Sequence, residues 1–280
     1  MAFERALQLM AESSSDVFGP ISFQRYLTES NISHAQTAPS ISVDSLAGLA
    51  PELREAGVMV FRLGQETGAR TTKFALARSK NGWKDYFLLD NEIFAAVGPE
   101  VFIPSGSARD LYVFQLLPAL TETSLVNLAL ASGVLGTALQ LDEPDRPIIP
   151  ATGQTVFSFK FRPHPSIDTV WDHDRGQVEI DALFTARRKG KETLFLVEAK
   201  TGNELSTLAK HKLVYPLLAL CGHIPSYFDI VPVYLRVLHI GNSLHFLVCE
   251  CAIERKSIMS LASLSAIGNS RRLVLQGFES

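Results

Sequence analysis

The chain has 280 residues, 46% hydrophobic and 20% charged, with a net charge of −3 and three cysteines. That composition excludes a disordered chain, and without a global basic excess any nucleic-acid surface has to be local. The few cysteines suit a reducing cytoplasm, no run of about 18 apolar residues marks a membrane span, and the first residues lack an apolar core of signal-peptide length.

Residues 1 to about 95 read as a small α+β unit. "ISFQRYLTES" has a helical pattern, and "SVDSLAGLAPELREAG" has another, with Ser42 as its N-cap, Pro51 restarting a turn and Gly57 as its stop. "VMVFRLG" and "TKFALARS" then alternate as two strands around the turn-rich "QETGAR". Helix, helix, hairpin is the order of a winged-helix module. Its basic residues Arg54, Arg62, Arg70, Lys73, Arg78, Lys80 and Lys84 are either a solvated face or a DNA-contacting patch.

The Pro-, Gly- and Ser-rich stretch 97–110 is the expected linker. It divides the chain into an N-terminal DNA-recognition domain (1–105) and a C-terminal domain (106–280). Residues 121–140 follow as one helix capped by Thr121, and 155–163 as a strand with Lys160 and Arg162 on one side. "WDHDRG" (171–176) reads as a turn, so the histidine between its acids is not assigned to a metal. A hairpin over 178–200 precedes a helix over 206–222 capped by Ser206, and a second hairpin turns around "GNS". The order gives an α/β fold, a central sheet covered by helices. Cys249 and Cys251 alternate on one of its strands and read as core residues.

The 178–200 hairpin, "VEIDALFTARRKGKETLFLVEAK", carries the chemistry. A tight turn at Lys189-Gly190 pairs Ala182 with Val197, Phe184 with Phe195 and Leu183 with Leu196. Continued, the same register sets Asp181 opposite Glu198 and Glu179 opposite Lys200. Facing carboxylates in a buried strand pair repel, and desolvating them costs several kcal/mol each unless a cation compensates, ~3 kcal/mol or more. A divalent ion such as Mg²⁺, with Mn²⁺ as a substitute, fits Asp181, Glu198 and the Ala199 carbonyl as oxygen ligands. Lys200 on the same face then acts on the attacking water or on a phosphate. The bland alternative is a Glu179–Lys200 salt bridge at a solvated strand end.

The pairing of Asp181 with Glu198-Ala199-Lys200 across "VEID…LFLVEAK" resembles the core of the PD-(D/E)XK nuclease superfamily over roughly residues 120–220. Ile180 stands where that pattern has a proline. The resemblance implies a Mg²⁺-dependent endodeoxyribonuclease acting on double-stranded DNA, with the two-part layout of a type II restriction endonuclease and a homodimer as its working form. It also implies that Glu122 joins the site, that His211 and Tyr215 hold a polar-aromatic spacing on the helix after the motif, and that Lys210 and Lys212 meet phosphates. A structure-selective junction or repair nuclease, and a catalytically silent DNA-binding protein of the same fold, are the alternatives. The chain carries no phosphate-binding G-x-x-x-x-G-K-[ST] loop, so no nucleotide cofactor is expected.

Overall fold

The computed structural model describes residues 1–280 apart from 34, 67, 69–70, 105–107, 118, 144–146, 257 and 279–280. Arg70 and the middle of the 97–110 stretch therefore lie outside the described residues.

The N-terminal part runs α1 (Glu4–Glu12), β1 (Val17–Ser22), α2 (Phe23–Glu29), α3 (Thr37–Ile41), α4 (Pro51–Glu55), β2 (Val58–Gln65) and β3 (Thr72–Arg78). The expected Ser42-capped helix is corrected. Ser42 follows the end of α3, Ser45 caps one 3-10 turn (Leu46–Gly48), and a fresh helix starts at Pro51. Pro51 lacks an N–H and clashes with a preceding helical turn, but it suits a first turn. β3 pairs antiparallel with both β1 and β2. Phe3, Phe18, Phe23 and Tyr26 pack around Phe74 with ring centroids 5.2 to 5.9 Å apart.

β4 (Phe87–Leu89), α5 (Asp90–Phe94), β5 (Pro99–Val101) and α6 (Ala108–Gln115) come next. β5 pairs in parallel with a C-terminal strand, so the stretch expected as a linker contributes an edge strand. The 121–140 helix is two helices, α7 (Glu122–Ala131) and α8 (Val134–Ala138). Gly133, at φ +86°, takes the left-handed conformation that breaks them apart. Thr121 caps α7 as expected, accepting from the Ser124 N–H at 3.2 Å.

β6 (Ala151–Arg162), β7 (Trp171–Arg188), β8 (Lys191–Gly202), β9 (Thr207–Ala209), α9 (His211–Cys221), β10 (Asp229–Ile240) and β11 (Ser243–Ala252) complete the core, followed by short β12 (Met259–Ser260), β13 (Ser265–Ala266) and β14 (Arg271–Gln276). "WDHDRG" is the start of β7 rather than a turn. Its Asp and Gly content marks a distorted strand, with Arg175 at φ +42° and a register shift opposite Phe157 and Phe159. The helix expected from Ser206 begins at His211, because Thr207–Ala209 pairs with Phe87–Leu89.

The large sheet is mixed, in the order β1-β3-β2-β7-β8-β10-β11-β14-β5, with β6 on β7. β8 and β10 run parallel over Thr193–Gly202 and Asp229–Leu238. Helices and loops bury both faces. Phe184, Phe195, Val197 and Ala199 meet α7 and α8 on one face. Leu196, Tyr234 and Cys249 meet α9 on the other, in a core that also holds Phe3, Phe61 and Phe74 from the N-terminal part. Among the described residues no helix is long and apolar enough to cross a membrane.

Candidate functional site

The β7–β8 hairpin closes on Lys189 and Gly190, both at positive φ (+52° and +75°), the backbone of a two-residue hairpin turn. From there the ladder runs Arg188↔Lys191 to Ala182↔Val197, the expected register throughout. It stops one residue before the acids. β7 continues beside β6, pairing Ile180 with Gly153 and Glu179 with Gln154, while β8 follows β10 to Gly202. β2 approaches β7 farther along, where Gly64 pairs with Asp174 and a Cβ would sit 2.1 Å from the Asp174 carbonyl oxygen. The two strands that carry the acids therefore part at the acids.

Asp181 bridges the gap. Its Oδ2 accepts from the Ala199 N–H at 2.9 Å, supplying an acceptor where the ladder ends. Glu198 shares the side of Leu196 and faces α9 rather than α7. It is 2% exposed. Its Oε1 lies 3.1 Å from Lys200 Nζ and 3.7 Å from Lys212 Nζ, yet makes no hydrogen bond of normal geometry. Burial pushes the Glu198 carboxyl up to about 8, against the pull of Lys212 and Lys200, and Asp181 adds to the rise.

Lys200 corrects the expected Glu179–Lys200 pair. Because the ladder ends early, Lys200 turns to Glu122, whose Oε2 accepts at 3.0 Å, as well as to Glu198. Glu122 arrives in the first turn of α7, so the helix expected to carry an acid brings it to the lysine. Burial opposes charge on Lys200, but Glu198 and Glu122 outweigh it and hold the ammonium above its ordinary value. Glu179 instead lies 3.8 Å from Lys212, which also reaches Asp44 at 3.7 Å. Lys212, expected as a surface phosphate contact, is thus part of the cluster, because the helix starts at His211 and points its first turn at Glu198. Its pKa is raised too: burial works against it, and Glu198 and Asp44 prevail.

Other expected contacts fall elsewhere. Lys210 is 5% exposed and donates to the Ala262 carbonyl at 3.2 Å, so it is not a surface cation, and burial lowers its pKa to about 8. Lys160 is paired with Asp172, and Arg162 lies 3.5 Å from Asp168. Arg54 is exposed on α4, Lys73 is half-buried, and Arg62 donates to Ser42 Oγ at 3.2 Å. Tyr215 is buried and donates to the Arg62 carbonyl at 3.3 Å; His211 lies against its ring at 5.2 Å.

Two residues of the surroundings escaped the sequence reading. β10 places Tyr234 beside Glu198 and Arg236 beside Lys200. Arg236 donates to the Glu204 carbonyl at 2.7 Å and lies 3.5 Å from fully buried Asp90, which accepts from the Ser206 N–H at 2.8 Å. Only a parallel register, which no local pattern encodes, aligns "VYLR" with "VEAK".

Among the described residues no three His, Cys, Asp and Glu side chains converge as a ready metal-binding group. The donor chemistry still fits a hard divalent cation. Asp44, Glu122, Glu179, Asp181 and Glu198 surround two lysines, and the Glu198 Oε1 is buried with an acceptor to spare. Asp181 and Glu198 would hold the ion. Ala199, expected to offer its carbonyl, engages Asp181 through its N–H.

No curated protein and no solved structure matches the chain. One family model, described as a domain of unknown function (DUF6997), matches residues 106–265, a span that holds Glu122, Asp181, Glu198, Lys200 and Lys212. The match covers more than half of the 280 residues, and the chain therefore belongs to the DUF6997 family.

Proposed function

We propose that the protein is a metal-dependent endodeoxyribonuclease of the PD-(D/E)XK kind, acting on double-stranded DNA in the manner of a type II restriction endonuclease. One observation carries the reading: β7 and β8 part at Asp181 and Glu198, with Lys200 two residues on and held by Glu122. A purely structural strand end has no need of four charged groups in partial burial, where each desolvation opposes folding. The N-terminal part would help hold DNA through basic residues such as exposed Arg54 and half-buried Lys73.

A bound Mg²⁺ would supply charge neutralisation and an acidified water. Asp181 and Glu198 would hold it. Lys200 presents its ammonium to the phosphate as negative charge builds there, and Glu122 positions that ammonium. Lys212 balances the charge of Glu198 and Glu179. Water attacks phosphorus as the P–O3′ bond breaks; the departing 3′ oxygen takes up a proton, leaving a 3′ hydroxyl and a 5′ phosphate.

The test is incubation of long duplex DNA with the protein and Mg²⁺, with end-group analysis of the products. Cleavage with 5′-phosphate ends that EDTA stops is the expected result. Full cleavage in EDTA, or intact DNA at every Mg²⁺ and Mn²⁺ concentration, overturns the reading.

A further inference from the structure

Beside the charged cluster lies a cavity of about 240 Å³ whose walls come from both parts of the chain. Ser42 and Arg62 form one wall, Gln154 and Gln177 on β6 and β7 the floor, and His211 and Tyr215 of α9 the third side. The rings give aromatic surface: Tyr215 lies 5.2 Å from His211 and 4.8 Å from buried His173. Hydrogen-bonding groups stand ready around them. Both glutamines are exposed. Arg62 makes no ion pair among the described residues and bonds only the Ser42 hydroxyl through its guanidinium.

The occupant must be flat, polar at its edges and uncharged. Neither an anion nor a cation is favoured, because Asp44 and Glu179 are balanced by Arg62 and Lys212 around the same cavity. The position narrows the choice further. Gln177, Glu179 and Asp181 share one side of β7, so the cavity's Glu179 lies two residues, about 7 Å, from Asp181 and its Gln177 four residues, about 13 Å.

Resting on the nuclease reading for its source of substrate, we propose that this cavity takes a single unstacked nucleobase of the strand being cut. The base would lie against the His211 ring, which buried Tyr215 backs, and be read by the Gln154 and Gln177 amides, with Arg62 on its acceptor edge. Its backbone stays outside, along the line toward Lys200. Extrusion of a base into a pocket has to offset lost stacking, and the loss is least where the base is mismatched or unpaired. Cleavage beside mismatches and unpaired bases is therefore favoured over perfect duplex.

The experiment uses the full chain and two probes. Duplexes carrying 2-aminopurine at successive positions are bound in Ca²⁺, with fluorescence anisotropy reporting binding and 2-aminopurine emission reporting unstacking. Free nucleosides are examined by saturation-transfer NMR. Gln177→Trp fills the cavity from an exposed strand position, and Gln177→Ala removes one amide without filling it. The expected result is a several-fold rise in emission at one position, with saturation transfer to nucleosides. Both are lost in Gln177→Trp and weakened in Gln177→Ala. Duplex bound with no emission change at any position and no nucleoside transfer overturns the cavity while leaving the nuclease reading intact. So does a rise that Gln177→Trp leaves unchanged. If no duplex binds, the nuclease reading fails instead, and the nucleosides decide the cavity: transfer abolished by Gln177→Trp upholds it, and no transfer overturns it.

Discussion

The two ends of the β7–β8 hairpin are built from one register and behave in opposite ways. At the closed end Phe184 and Phe195 stack with centroids 5.2 Å apart, Ala182 meets Val197, and the ladder is regular. At the open end the same two strands stop pairing as soon as their side chains become acidic. Apolar pairs hold strands together because burial and backbone hydrogen bonds reinforce each other. At the open end the buried Asp181 and Glu198 stand where the ladder ends, and the strands separate toward β6 and β10. On the nuclease proposal stability resides at one end and chemistry at the other, so each should be open to perturbation without the other.

The largest expected effect is at the open end. Asp181→Ala and Glu198→Ala should each abolish DNA cleavage while circular dichroism and melting show a folded protein; normal cutting by both variants would falsify the assignment. Lys200→Met comes next. Removing a group that stabilises developing charge costs about 3 to 4 kcal/mol of barrier, or ~10²- to 10³-fold in rate. Single-turnover cleavage reads that loss, with DNA binding retained. A lysine that served only as a partner of Glu122 would leave the rate within a few-fold.

The closed end should respond in stability instead. Phe195→Ala removes a fully buried ring, and chemical denaturation should register a loss of about 3 to 5 kcal/mol. Glu198→Met, three residues further along β8, should be close to neutral in stability despite its loss of activity, since apolar groups often replace buried charges without penalty. Equal losses for both variants would erase the distinction between the ends.

The smallest effect is a pH slope. In metal-free solution the folded-state Glu198 sits near 8, above its ordinary 4.5, so between those values the folded chain binds more protons than the unfolded one. The stabilisation is complete below about 4.5 and is lost as pH rises toward 8. Melting temperature followed from pH 5 to 8 in EDTA should fall more steeply for the wild type than for Glu198→Gln. Parallel curves would place the Glu198 carboxyl in the ordinary range.

The closed end was legible in the sequence because everything that fixes it is local: the Lys189-Gly190 turn, strict alternation, and aromatic residues at matching positions. The acids at the open end were legible as types, and Glu122 as a helix-start acid, but their partners were not. Lys200 was assigned to Glu179 by extending a ladder that stops at the acids. Lys212 was assigned to the surface because β9, formed with residues more than a hundred positions earlier, delays the start of α9. Tyr234 and Arg236 reach the cluster through a parallel pairing across a helix, which leaves no local pattern. "WDHDRG" misled for the opposite reason, since turn-forming residues there serve a kinked strand.

The most direct measurement of the account is calorimetric titration of Mn²⁺ into the wild type, Asp181→Ala, Glu198→Ala and Phe195→Leu proteins at one pH. If the parted strand end is a cation site, the wild type and the Phe195→Leu protein should bind Mn²⁺ alike, and each acid variant should lose at least tenfold in affinity, about 1.4 kcal/mol. Equal binding by all four proteins, or none by the wild type, would contradict it.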